Sequence, residues 1–119
     1  MGKSSPTSSP YSKTRRRFPR FQLDVRLTAQ VFRAGGVVSL WGRTSELGQD
    51  GIGGTLTGEL DLGEVASLEF ALPVAIHPLK LRAVVRYRDG LRHGFEFLTL
   101  SPIQRDDIVR TCEMLSVGD

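Results

Sequence analysis

Cysteine is almost absent: Cys112 is the only one in 119 residues, so no internal disulfide and no cysteine-based zinc site can be built. Such usage fits a reducing compartment. Histidine is as scarce, with His77 ahead of Pro78 in a turn and His93 inside an apolar run, and neither has a partner at metal-ligand or base-catalyst spacing. No apolar run approaches the roughly eighteen residues of a membrane span, and the N-terminus lacks the apolar stretch of a secretory signal. Aromatic residues make up only 8% of the chain, too few for the base-stacking platforms of single-strand binders, which argues against a nucleic-acid barrel. No nucleophile and base pair, acidic dyad or metal-ligand pattern stands out, so an enzyme is not expected.

What remains suits one small domain. Hydrophobic residues are 39% and charged residues 24% of the sequence, enough for a single core. The net charge of +3 hides a local excess, because Lys13, Arg15, Arg16, Arg17 and Arg20 fall within eight positions. That cluster calls for an anionic partner without saying which. Residues 1–14 are rich in Ser, Thr and Pro, lack the side chains that repay ordering entropy, and read as a disordered tail ahead of a folded domain at 15–119.

The folded part reads as β-structure, with a barrel over about 21–98. Phe21, Leu23, Val25, Leu27, Ala29 and Val31 alternate with polar residues, predicting one half-buried strand over 21–33. Gly35-Gly36 turns the chain into a partner strand over 37–46, where Trp41 is read first as barrel packing and otherwise as an aromatic surface for a base or partner. Further strands are expected at 52–56, 65–72, 79–87 and 91–98, the last two joined through Asp89-Gly90. Ser101-Pro102-Ile103-Gln104 combines an N-cap hydroxyl, a proline at the first helical position and a glutamine three residues after the cap, predicting a helix over about 102–116. Ile108, Cys112 and Leu115 recur along it at core spacing. The expected fold is all-β with one C-terminal helix, a six-stranded antiparallel barrel.

Two constellations invite chemistry. Arg15-Arg16-Arg17-Phe18-Pro19-Arg20 precedes the first strand, and guanidinium groups offer paired donors to phosphates or guanine edges. On its own it is equally a solvated basic flank. Glu46-Leu47-Gly48-Gln49-Asp50-Gly51 falls between two strands, where glycines admit close approach and carboxylates accept from a base edge. On its own it reads first as a glycine-rich hairpin turn. Ser45, one residue from Glu46, is expected on the opposite face.

Together the two resemble the PilZ family. That family carries RxxxR just before its first strand, matched by Arg16 through Arg20, and [D/N]xSxxG on the barrel, where Gly51 matches but Glu46 and Gly48 replace the acidic or amide residue and the serine. The resemblance runs from about Arg15 through the closing helix. It implies a cytoplasmic bacterial receptor for the second messenger cyclic di-GMP, often bound as an intercalated dimer. Arg16 and Arg20 would be the primary contacts, Arg15 and Arg17 supporting charge, and Glu46, Gly48 and Gly51 the second motif. It implies no metal, no cofactor beyond the ligand, no membrane insertion, and an output passed to a separate protein. The alternative is a degenerate PilZ domain that has lost the ligand and acts through protein contacts.

Overall fold

Alternation along the chain becomes alternation of burial in the computed structural model, which describes residues 17–118; Arg15, Arg16 and the expected tail lie outside the described residues. In β2 (Arg26–Arg33), Leu27, Ala29 and Val31 are buried while Arg26 and Gln30 are exposed. The same two-residue rhythm runs through most of β3 (Gly36–Leu47), β5 (Val65–Phe70), β6 (Leu79–Asp89) and β7 (Arg92–Thr99), whereas the glycine-rich β4 (Gly51–Leu56) is buried at Gly51 to Gly54 without alternation. Neighbours run β3-β2-β5-β6-β7-β4, all antiparallel, and pairing of β3 with β4 closes the ring. The result is a closed six-stranded barrel, followed by α1 (Pro102–Gly118).

The expected single strand over 21–33 is instead two. Phe21–Gln22 forms a separate two-residue strand, β1, paired with the end of β3, and the chain leaves the ladder from Leu23 to Val25. The reason is Thr44, whose buried hydroxyl donates to the Leu23 carbonyl and accepts the Val25 N–H at 3.0 Å. A side chain there takes over bonds that a neighbouring strand would otherwise make.

Trp41 also departs from expectation. Its side chain is 59% exposed, because on β3 it shares parity with the outward Val37, Ser39 and Arg43, while Val38 and Leu40 face the core. Two-residue turns close the β2–β3 and β6–β7 hairpins at one end of the barrel. Between the paired Asp89 and Arg92, Gly90 has φ +63° as the first loop residue, a conformation only glycine adopts without strain.

The core is one cluster. Leu27, Leu47, Ile52, Leu68 and Phe95 fill the barrel, and Phe70 stacks on Phe97 at 6.4 Å between ring centroids. Ile108 and Cys112 of α1 belong to the same cluster, so the helix is part of the fold rather than an appendage. Its start is set by a reciprocal cap: Gln104 N–H donates to Ser101 Oγ at 3.1 Å, and Ser101 N–H donates to Gln104 Oε1 at 3.0 Å. Gln104 Nε2 also donates to the Lys80 carbonyl at 2.8 Å, which ties that cap to β6.

Candidate functional site

Arg20 is positioned by the residue that follows it. Phe21 pairs with Leu47 and Gln22 with Glu46, so the chain enters antiparallel to the end of β3 and brings Arg20 over the segment after Leu47. That segment is a tight turn closed by the Gly48 N–H donating to the Gly51 carbonyl at 2.9 Å. Neither glycine has a side chain to fill the space above the turn, and Arg20 fills it. A Cβ on Gly48 would lie 2.6 Å from Arg20 Cδ and 2.7 Å from Nε, and one on Gly51 would lie 3.4 Å from Nη2.

Two carboxylates face the guanidinium. Arg20 Nη1 lies 3.6 Å from Glu46 Oε2 and Nη2 lies 3.5 Å from Asp50 Oδ1, with only 16% of the arginine side chain exposed. Both separations exceed a good charge-assisted hydrogen bond. Arg20 Nε and Asp50 Oδ1 are buried without hydrogen-bond partners. The arginine is enclosed, but its donors are poorly used.

An open cleft of about 700 Å³ adjoins this pair, bordered by Arg17, Phe18, Arg20, Ser45, Glu46 and Arg92 among others. Arg17 lies over the Phe18 ring, 5.7 Å from its centroid, which gives the cleft a cation and an aromatic face side by side. Of the residues the sequence singles out, Arg17, Arg20 and Glu46 meet here, and Gly48 and Gly51 form the floor beneath Arg20; Arg15 and Arg16 lie outside the described residues.

Ser45 borders the same cleft as Glu46, contrary to strict alternation. The β3–β4 register shifts between Thr44 and Glu46, so Ser45 occupies a bulge and the two-residue rhythm breaks at that point. Asp50 is the second carboxylate of the Glu46–Gly51 constellation, and Arg92 is marked by no sequence motif. Asp50 stands inside the second motif, where its charge beside Gly51 was available as a signal; Arg92 reaches the cleft only through the β4–β7 register.

Helix α1 closes the far side. Cys112 is 3% exposed, and burial pushes its thiol up to about 11, with Arg20 and Asp50 close enough to act on it electrostatically. The arginine seat therefore lies against the helix that completes the core.

A family model for the PilZ domain matches residues 14–113. The chain belongs to the PilZ domain family. Among solved structures, this PilZ domain is similar to the PilZ domain of YcgR from Escherichia coli with c-di-GMP, at 20% identity and a TM-score of 0.68, covering 87% of this chain and 93% of that one. It is also similar to the inhibitor of motility MotI/DgrA from Bacillus subtilis, at 16% identity and a TM-score of 0.73, covering 94% of this chain and 57% of that one. The PilZ domain of CeSA from a cellulose-synthesizing bacterium matches at 17% identity and a TM-score of 0.62, covering 82% and 98%. A search of curated proteins finds no match. At these identities the likeness speaks for the barrel and its helix. Among the described residues no helix is long and apolar enough to cross a membrane.

Proposed function

We propose that this PilZ domain is a receptor for cyclic di-GMP, which it binds in the cleft between the N-terminal arginines and the Glu46–Gly51 segment. The observation that carries the reading is Arg20, whose guanidinium sits at the junction of β1, the Gly48–Gly51 turn and the open cleft. It is one of the two RxxxR arginines, and the similar YcgR PilZ domain was solved with c-di-GMP.

In the proposed complex, Arg20 and Arg16 donate paired hydrogen bonds to phosphate oxygens and guanine edges, with Arg17 and Arg15 adding charge. Phe18 and the guanidinium above it offer a flat surface for a base. Glu46 accepts from a guanine N–H edge, and Gly48 and Gly51 leave room above the turn for the Arg20 side chain. No covalent chemistry is assigned. The ligand binds singly or as an intercalated dimer, in the bacterial cytoplasm, and the bound surface is read by a separate protein.

The test is isothermal titration with cyclic di-GMP, run beside an Arg16→Ala/Arg20→Ala double variant and a GTP control. Saturable binding by the natural protein, lost in the double variant and absent with GTP, is expected. No heat and no thermal shift at ligand concentrations of about 100 µM would overturn the receptor reading.

The second reading, a protein-contact module without ligand, has one structural observation in its favour: Trp41, Phe32 and Val37 present exposed apolar surface on the outer face of the β2–β3 hairpin. It predicts partner binding that cyclic di-GMP does not alter.

A further inference from the structure

The replacement of the motif serine by Gly48 and the presence of Asp50 are two halves of one device. We propose that Asp50 sets the affinity of this domain for its dinucleotide by holding Arg20 in a seat that Gly48 opens, so that the ligand's phosphate must take the arginine away from a carboxylate already in place. The inference rests on the cyclic di-GMP reading of the cleft.

The steric half comes from Gly48. Arg20 lies across this residue so closely that a Cβ would stand 2.6 Å from its Cδ, 2.7 Å from its Nε and 3.1 Å from the Pro19 carbonyl. A serine, as the family motif has there, is incompatible with this arginine conformation. Gly48 has no positive φ, so alanine at this position meets Arg20 and not backbone strain.

The electrostatic half comes from Asp50. Its Oδ1 lies 3.5 Å from Arg20 Nη2, whereas Glu46 faces the other terminal nitrogen, Nη1. The carboxylate attracts the arginine and repels an incoming phosphodiester, and both effects oppose binding. The seat is nonetheless one the ligand can empty, because Nε and Oδ1 are buried without hydrogen-bond partners while a phosphate offers paired acceptors. The Asp50 backbone is held independently, its carbonyl accepting the Phe97 N–H at 2.9 Å. Asp50→Asn therefore changes the charge and leaves the loop in place.

The experiment is titration of the full chain and of the variants Asp50→Asn, Gly48→Ala and Arg20→Ala with cyclic di-GMP, together with hydrogen exchange at the Arg20 Nε–H in the ligand-free proteins by NMR. We expect Asp50→Asn and Gly48→Ala to bind about fivefold more tightly, the scale of one partly exposed ion pair. Arg20→Ala should bind more weakly, and Nε–H exchange should be faster in the first two variants than in the natural chain. Affinity unchanged or reduced in Asp50→Asn, with Arg20→Ala still weakened, overturns the seat while the receptor reading stands. Absence of binding by all four proteins overturns the receptor reading and the affinity-setting role with it. Gly48→Ala loosening Nε–H exchange without tightening binding also counts against the proposal, since it frees the arginine to no effect.

Discussion

His93 accepts the backbone N–H of Leu60 at its Nε2, 3.0 Å away, joining β7 to the loop that follows β4. The other ring nitrogen lies 2.8 Å from the Leu91 carbonyl, so the proton sits on Nδ1 and both ring positions are used. Burial lowers the pKa of this histidine from the ordinary value near 6.5, and protonation would remove the acceptor that Leu60 depends on. A group with a depressed folded pKa contributes its stability above the unfolded value and loses it as pH falls. Urea midpoints should therefore fall as pH drops below about 6.5. His93→Phe should cost about 1–3 kcal/mol near neutrality by orphaning the Leu60 N–H, and should flatten that pH dependence. A variant with the same pH slope as the natural chain would assign the slope to other groups.

Arg33 and Glu64 form a two-pronged pair, Nε to Oε2 and Nη2 to Oε1, both at 2.7 Å. The hydrogen-bonded guanidinium holds the Glu64 carboxyl at about 2, against an ordinary value of 4.5. Its contribution is complete above about pH 5 and is lost as pH falls toward 2. The unfolding free-energy difference between the natural chain and Glu64→Gln should follow that curve, present at neutral pH and gone in strong acid. A difference that persists unchanged at low pH would attribute the effect to packing.

Glycines differ sharply in what they tolerate. A Cβ on Gly51 would meet the Phe95 carbonyl at 2.1 Å, at the end of the β4–β7 ladder, so Gly51→Ala should destabilise by about 1–3 kcal/mol or more. Gly35 in the β2–β3 turn faces open space and has no positive φ, so Gly35→Ala should be neutral or stabilise by up to about 1 kcal/mol. Thermal denaturation of the two variants side by side makes the comparison.

Large aromatic side chains separate in the same way. Phe95, 2% exposed, should cost about 3–5 kcal/mol on truncation to alanine. Trp41→Ala, at 59% exposure, should cost less than about 1 kcal/mol. A large loss at Trp41 would mean that it packs in solution against something this surface leaves uncovered.

The barrel was legible where local rules agree. Leu79, Leu81, Ala83 and Val85 alternate cleanly and all are buried; Asp89-Gly90 supplies the turn residue that two-residue hairpins need; Ser101 and Gln104 cap the helix as their spacing indicates. What stayed hidden depends on contacts between distant segments. Thr44 looks like any polar strand residue, yet its hydroxyl ends the β1–β3 ladder. A bulge at Ser45 leaves no mark in the pattern, and the face Trp41 occupies follows only once the inward parity of Val38 and Leu40 is known. In the candidate site the residue types were visible as motifs, whereas the contact of Arg20 with Asp50 exists only because β1 pairs with β3.

Cys112 carries one more consequence. With its thiol buried and pushed up to about 11, only about one molecule in ten thousand holds a thiolate at neutral pH, and peroxides and alkylating agents attack thiolates. The chain has no other cysteine, so it offers thiol reagents no exposed target. A cysteine introduced on its surface would therefore be the one place a thiol-directed dye attaches.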